Sequence, residues 1–137
     1  MTVIKHHDLI VKIDPYFGTL SCTDIIEFEN LKKDIEIYLG KRFNFINIYQ
    51  KQNEVQYKEI EEGKIAKKYL IKNLDTQHNK ITFEWTGKLD SFEGYRVSII
   101  RSDVVELSGF CGWFPTIKPS SQLEKFTYNI DIKLPAN

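Results

Sequence analysis

Apolar and polar residues alternate without interruption near the end of the chain. Between Lys125 and Leu134, every even-numbered position is apolar and every odd-numbered position is polar or charged. A period of two with one apolar face is typical of a β-strand that buries one side. The pattern therefore predicts a half-buried strand over residues 125–134.

Similar alternation recurs along the rest of the chain. It predicts strands over residues 6–14, 19–30, 34–39, 43–49, 54–58, 67–74, 80–86, 95–100 and 104–107. Nowhere do apolar residues repeat at i, i+3, i+4 and i+7 over the roughly 11 residues that a helix requires. The sequence predicts an all-β fold, an antiparallel β-sandwich or saddle of about nine or more short strands with little or no helix. The length of 137 residues fits a single domain, residues 1–137.

Three segments depart from simple alternation. Asp24 interrupts the apolar side of the second segment, and the adjacent Ile25 and Ile26 predict a bulge there. Residues 59–63, E-I-E-E-G, predict a charged loop. Residues 64–72, K-I-A-K-K-Y-L-I-K, predict a strand with a solvated lysine face rather than a phosphate-binding track.

Composition and charge exclude several classes of protein. The chain is 42% hydrophobic and 28% charged, which argues against disorder. Nineteen basic residues balance nineteen acidic ones, so no overall charge attracts nucleic acid or anionic lipid. No signal peptide is visible after Met1, and no apolar run approaches the roughly 20 residues of a membrane helix. These features predict a cytoplasmic or cytoplasm-facing domain.

Candidate chemistry is sparse. His6 and His7 are adjacent, so in a strand they face opposite sides and cannot chelate one ion together. His78 lies in a polar turn without a spaced carboxylate or thiol, so the sequence predicts no metal site. Cys22 and Cys111 are 89 positions apart and could pair, but without a secretory signal they are expected to be reduced and buried. A thiol nucleophile at Cys111 is disfavoured because no signature places a base beside it.

Aromatic residues allow two interpretations. The candidates for a platform that stacks sugars or peptides are Tyr16, Phe17, Trp85, Tyr95, Phe110, Trp113 and Phe114. Most lie at inward positions of strands or beside glycine and proline, which favours packing over binding. Trp113 and Phe114 are the least clearly buried of the set, and we expect them to face another domain.

Three motifs, taken in order, resemble the N-terminal β domain of the zinc aminopeptidases of the aminopeptidase N type. The first is the opening H-D-L-I-V-K-I-D-P-Y-F-G-T-L-S-C-T-D-I-I-E-F-E-N, and the second is D-I-E-I-Y-L-G-K-R-F-N-F-I-N-I-Y. The third is W-F-P followed by K-F-T-Y-N-I-D-I-K-L-P. The resemblance spans nearly the whole chain.

The resemblance implies a non-catalytic domain that packs on a downstream peptidase domain of the same polypeptide and shapes its cleft. Zinc and the catalytic residues would lie in that absent domain, so no cofactor is expected in this chain. The family's domain also runs longer than 137 residues, which implies further residues after Asn137.

One position carries an implied role. In the family, a glutamine or glutamate holds the substrate's free α-amine. It lies nine positions before the proline that corresponds to the last residue of the W-F-P motif. The equivalent position here is Glu106, counted back from Pro115. The family's cysteine and aspartate after that proline are replaced by Thr116 and Lys118. Glu106 is therefore the candidate amine anchor, and Trp113 and Phe114 are candidate interface aromatics.

Two other functions remain open at this stage. A free-standing β-sandwich could bind carbohydrate or peptide through exposed aromatics. A degenerate family member could serve only in protein–protein contact, for instance beside a membrane transporter.

Overall fold

A computed structural model describes residues 1–89, 99–100, 105–106, 112–117 and 125–135, with residues 99–100 and 105–106 described for the backbone only. The described residues form eleven β-strands and no helix. The strands are β1 (Val3–Asp14), β2 (Thr19–Glu29), β3 (Ile35–Gly40), β4 (Phe43–Gln50), β5 (Asn53–Glu54), β6 (Gln56–Glu62), β7 (Ala66–Lys72), β8 (Lys80–Lys88), β9 (Ile99–Ile100), β10 (Val105–Glu106) and β11 (Thr127–Lys133).

The strands form two main sheets. The larger sheet has the order β11-β1-β2-β8-β4-β5, and the smaller has the order β3-β7-β6; β9 and β10 pair with each other. All pairs are antiparallel except β1 and β11, which run parallel. The all-β prediction is confirmed. The sequence did not predict the parallel pair, because alternation does not record strand direction.

The core lies between the two sheets. One cluster of buried residues joins the larger sheet, through Trp85 and Phe83, to the smaller sheet, through Ile37 and Ile71. These side chains alternate with outward polar ones along each strand, as two packed layers require. The structure is therefore a β-sandwich.

Strand β2 corrects one prediction. Its residues alternate buried and accessible from Leu20 to Phe28, and Asp24 is buried in phase with them. The register between β1 and β2 shows no shift at Ile25, so the predicted bulge there is wrong. The alternation holds because the buried Asp24 carboxyl group forms a hydrogen bond with His7 on the neighbouring strand.

Strand β6 corrects a second prediction, since it extends through the charged segment predicted as a loop. Glu61 lies opposite Lys68 on β7, and the Lys68 ammonium is 3.5 Å from the Glu61 carboxylate. Opposite charges on neighbouring strands support pairing that a charge run alone does not reveal.

The predicted lysine face of β7 is also only partly solvated. Lys67 is buried on the side of Tyr69 and Ile71, and its ammonium donates a hydrogen bond of 2.8 Å to Asn44 Oδ1. A buried ammonium needs such an acceptor to offset its lost hydration.

Candidate functional site

A short segment, residues 112–117, is fixed along the outer edge of β3. Gly40 donates its amide to Gly112 O at 2.7 Å, and Tyr38 and Thr116 exchange two backbone hydrogen bonds of 2.7 and 3.0 Å. Gly112 has a φ of +66°, which only glycine adopts without strain. We call residues 112–117 the proline corner; their Trp113, Phe114 and Ile117 side chains pack against the core.

A buried core residue forms a hydrogen bond with the backbone of the proline corner. Trp85, fully buried on β8, donates its indole Nε1–H to the carbonyl oxygen of Trp113 at 2.8 Å. A buried indole N–H needs an acceptor, and the corner backbone supplies it. Trp85 is therefore a core residue and does not belong to any exposed aromatic platform.

Four rings meet where the corner approaches strands β1 and β11, and we call this group the aromatic corner: His7, Trp113, Phe114 and Phe126. Phe114 lies edge-to-face with Trp113 at 5.0 Å, with His7 at 5.4 Å and with Phe126 at 5.9 Å between ring centroids. Trp113 and Phe114 are half-buried. They pack on the core and still present part of each ring at the surface.

One member of the aromatic corner, His7, forms a buried polar pair with Asp24 that the sequence did not predict. His7 Nδ1 is 2.6 Å from Asp24 Oδ2, and neither side chain is exposed. Asp24 Oδ1 also accepts the amide N–H of Asp8 at 3.1 Å. Burial raises the pKa of the Asp24 carboxyl, and its hydrogen bond to His7 opposes that rise. The sequence did contain a signal for this contact. Asp24 is the one acidic residue on the buried face of β2, His7 is the one histidine on the buried face of β1, and the two strands are consecutive in the chain.

The second nitrogen of the imidazole, His7 Nε2, is buried and has no hydrogen-bond partner among the described residues. The His7 ring lies 4.5 Å from that of Phe126, in a T-shaped arrangement. Within the described part of the chain, no hydroxyl or thiol completes a nucleophile–base–acid set with this pair.

Cys22 is buried and free, as expected for a structural thiol. Burial raises the pKa of its thiol far above the ordinary value, with the nearby Asp24 carboxylate adding to the rise. The thiolate, which is the nucleophilic form, is therefore disfavoured at Cys22. Cys111 lies outside the described residues.

The apolar side of β11 contradicts the prediction of a half-buried strand. Tyr128, Ile130 and Ile132 lie in register with His7, Leu9 and Val11, on the core side of the sheet. They are nevertheless 60%, 40% and 58% exposed, and Leu134 is 64% exposed. No described residue of the smaller sheet covers β11 at the end of the six-stranded sheet. We call these four side chains the β11 stripe.

The candidate amine anchor can be placed only along the backbone. Glu106 lies on β10 and pairs with Ile99 of β9. The position of its side chain lies outside what the structure describes. The structure therefore brings Trp113 and Phe114 together and leaves the relation of Glu106 to them as a prediction.

Two further features lie away from the aromatic corner. Tyr16 and Phe17, at the tip of the β1–β2 hairpin, are 81% and 62% exposed, and their rings meet edge-to-face at 5.0 Å. At the β5 edge of the larger sheet, a polar cavity of about 380 Å³ is lined by Gln50, Lys51, Asn73 and Asp75 among others. Tyr95 and Phe110, the other platform candidates, lie outside the described residues.

The described residues contain no group of three or more His, Cys, Asp or Glu side chains that could hold a metal ion. In the same part of the chain, no helix is long and apolar enough to cross a membrane.

Comparison with known proteins identifies the fold. No family model and no curated protein matches the sequence. Among solved structures, the M1 zinc metallopeptidase from Deinococcus radiodurans matches with a TM-score of 0.68 at 13% identity, over 98% of this chain and 33% of that chain. Yeast LTA4 hydrolase in complex with bestatin matches with a TM-score of 0.69 at 11% identity, over 98% of this chain and 23% of that one.

These likenesses show that the chain has a fold found in M1 zinc metallopeptidases, as the sequence resemblance implied. The chain spans about one third or less of the length of those structures. At such low identity the likeness establishes the architecture alone, and activity does not follow from it.

Proposed function

We propose that this chain is a non-catalytic N-terminal β domain of an aminopeptidase-like zinc metalloprotein, and that it packs on a peptidase domain and shapes its cleft. The observation that carries the proposal is the fold match, which covers 98% of this chain and only 33% of the M1 metallopeptidase. Because the chain corresponds to only one third of a peptidase, the catalytic centre would lie in another part of the polypeptide. Zinc would be bound in that other part of the polypeptide, and the protein would be cytoplasmic or cytoplasm-facing.

The aromatic corner is the part of the surface best suited to contact a peptidase domain. Trp113 and Phe114 are half-buried, rigidly held by the Trp85 indole and by β3, and already desolvated on one side. Aromatic side chains with few rotatable bonds contribute large contact area at low entropic cost, and such residues are enriched at interfaces. The corner is thus preformed for docking.

Under this proposal, Glu106 takes part in substrate binding. A carboxylate at the cleft would pair with the α-ammonium of a peptide and fix its first residue for cleavage at the zinc. One structural neighbour, the Deinococcus radiodurans M1 metallopeptidase, was solved with a Tyr-Ser-Ala substrate. For this chain, the peptide substrate class and the anchoring role remain part of the proposal.

The isolated chain provides the first test. We expect no hydrolysis of aminoacyl fluorogenic substrates, with or without added zinc, and metal-dependent turnover by the pure chain would refute the non-catalytic assignment.

The coding sequence beyond Asn137 provides the second test. We expect it to encode H-E-x-x-H with a glutamate about 18 residues later, and a different continuation would remove the peptidase partner.

The assignment of Glu106 requires the complete gene product. Glu106→Gln should weaken binding of substrates with a free α-amine, raising their KM, because the charge-assisted contact becomes a neutral one. N-acetylated substrates, which lack the ammonium, provide the control. An equal effect on both substrate types would show that Glu106 does not anchor the amine.

The exposed hairpin tip favours a second candidate function, binding of carbohydrate or peptide. Asp14 Oδ1 accepts the amides of Tyr16 and Phe17 at 3.0 and 3.3 Å, so the exposed ring pair is held in place. Calorimetric titration with glycans and peptides tests this. Saturable binding by the wild type that Phe17→Ala abolishes would favour the binding module over the peptidase-associated domain.

A further inference from the structure

The polar cavity at the β5 edge lies where the chain crosses from the larger sheet to the smaller one. Strand β5 belongs to the larger sheet and β6 to the smaller, and Val55 between them packs against the core. The cavity has a volume of about 380 Å³, which is enough for a small molecule. Among the described residues that line it, Val55 is the one apolar side chain. The cavity therefore suits a small polar ligand.

Hydrogen bonds hold the walls of this cavity in place. Gln50 is buried, and its Nε2 donates hydrogen bonds of 2.9 and 2.7 Å to the carbonyl oxygens of Asp75 and His78. Its Oε1 accepts the amide N–H of Asp75 at 2.8 Å. Another wall residue, Asn73, donates from Nδ2 to Gln56 Oε1 at 3.2 Å. A ligand would thus meet a preformed wall, and binding would cost little further ordering.

The backbone around the cavity adopts conformations that its residues do not favour. Four described residues other than glycine have a positive φ, and three of them are Lys51 at 50°, Gln52 at 67° and Asn73 at 57°. Lys51 and Asn73 line the cavity, and Gln52 completes the turn between β4 and β5. Lysine and glutamine rarely adopt a positive φ, and such conformations cluster at functional sites such as ligand clamps. The strain is concentrated at the wall of this cavity.

Four charged side chains line the cavity, and its two ammonium groups balance its two carboxylates. Lys51 and Asp75 form an ion pair of 2.7 Å with each other. Lys72 and Glu54 form no side-chain hydrogen bond or ion pair with each other or with any other described residue. An unpaired cation and an unpaired anion in one neutral cavity are complementary to a ligand that carries both charges and is neutral as a whole.

We propose that this cavity binds a small zwitterion with one ammonium and one carboxylate group, the class to which amino acids and dipeptides belong. The ligand carboxylate would pair with the Lys72 ammonium, and the ligand ammonium with the Glu54 carboxylate, through charge-assisted hydrogen bonds. Lys72 lies opposite Gln56, two residues after Glu54, so both charges belong to the crossing between the sheets. This inference goes beyond the proposed function and does not depend on it.

Nuclear magnetic resonance of the purified, isotope-labelled chain tests the proposal with glycylglycine as the probe. This dipeptide has no side chain, and its two charges lie far enough apart to bridge two protein groups that do not contact each other. At millimolar concentrations, the amide signals of residues 50–56 and 72–75 should shift in a saturable way. The amide signals of β1, which lies in another part of the larger sheet, should stay unchanged.

Two analogues that each lack one charge test the recognition of each ligand group. N-acetylglycylglycine lacks the ammonium, and glycylglycinamide lacks the carboxylate. Each should bind at least about tenfold more weakly than glycylglycine, because one charge-assisted hydrogen bond is lost.

Two variants remove the matching charges from the protein. Lys72→Gln and Glu54→Gln should each weaken glycylglycine binding by at least about tenfold. In Lys72→Gln, glycylglycine and glycylglycinamide should bind equally, because the carboxylate has lost its partner. The matched control is Lys58→Gln, since Lys58 is an exposed lysine of β6 outside the cavity lining, and it should bind as the wild type does. Thermal unfolding of each variant checks that the fold is retained.

Absence of localised, saturable shifts with glycylglycine would overturn the proposal. Equal binding of glycylglycine and N-acetylglycylglycine would also overturn it by indicating a site for anions, and equal binding of glycylglycinamide by indicating a site for cations. An effect of Lys58→Gln as large as that of Lys72→Gln would show that overall charge, and not the cavity, controls binding. None of these results bears on the peptidase-associated function, which the activity and coding-sequence tests decide.

Discussion

His7 Nδ1 lies 2.6 Å from Asp24 Oδ2, and both side chains, which belong to the adjacent strands β1 and β2, are completely buried. This contact turns two polar interruptions of the apolar faces into one hydrogen-bonded unit. It also places this pair beside two aromatic rings, since the His7 ring lies 5.4 Å from that of Phe114 and 4.5 Å from that of Phe126.

Removing one member of the pair should be costly. Asp24→Ala leaves His7 Nδ1 and the Asp8 amide without a partner, so we expect the free energy of unfolding to fall by about 3 to 5 kcal/mol. Urea unfolding followed by tryptophan fluorescence measures the change. Asp8→Ala, on the exposed side of the neighbouring strand, is the control and should change stability by less than about 0.5 kcal/mol.

Replacing the whole pair should cost less than breaking it. His7→Phe combined with Asp24→Leu substitutes apolar side chains for both polar ones, so the Asp8 amide loses its acceptor but no imidazole nitrogen is left without its partner. We expect the double variant to be more stable than Asp24→Ala by urea unfolding. A double variant at least as destabilised as Asp24→Ala would show that the His7–Asp24 hydrogen bond is not the relevant interaction.

The Trp85 indole should control the order of the proline corner. Trp85→Phe removes the N–H that donates to Trp113 O at 2.8 Å and should cost about 1 to 3 kcal/mol for the unpaired carbonyl alone. Hydrogen exchange at the Tyr38 and Thr116 amides should accelerate in this variant more than at the Ile71 amide. Uniform acceleration across the chain would indicate global destabilisation instead of release of the corner.

Gly112 should tolerate no side chain. A Cβ there would lie 2.9 Å from the Gly40 nitrogen, at a φ of +66°. Gly112→Ala therefore combines backbone strain with a backbone clash, and we expect a loss of about 1 to 3 kcal/mol. Gly63→Ala, where the nearest atom would be Ala66 O at 3.1 Å, is a milder comparison. Equal losses in thermal unfolding would contradict the strain argument.

Alkaline pH should weaken the fold through Tyr69. Burial raises the pKa of Tyr69 to about 12 from 10.0, with nearby Glu59, Tyr57 and Glu62 adding to the rise. A pKa raised in the folded state means that the contribution to stability is complete below pH 10 and is lost as pH rises from 10 toward 12. Tyr69→Phe should flatten that decline in denaturant unfolding measured across the range. An unchanged decline would assign the loss to other groups.

Alternation was sufficient to predict most strands and the side each one buries. The faces of β1 and β8 follow from period two because their inward residues enter a core that covers both strands completely. The β6 segment escaped this reasoning, since its pairing with β7 brings Glu61 opposite Lys68, and only the alignment of the two strands reveals that ion pair. The candidate interface was predicted in part: Trp113 and Phe114 were identified from their place beside proline, whereas the His7–Asp24 contact beneath them was not.

The sequence by itself determined the class of the fold, the approximate strands and the two faces of each, because a strand's side-chain directions depend only on local backbone geometry. The tertiary structure decided what covers each face. Asp24 can be buried because His7 on the neighbouring strand forms a hydrogen bond with its carboxyl group, and the β11 stripe is exposed because no described residue of the smaller sheet packs over the end of the larger sheet. Both outcomes depend on residues distant in sequence, about which a local pattern carries no information.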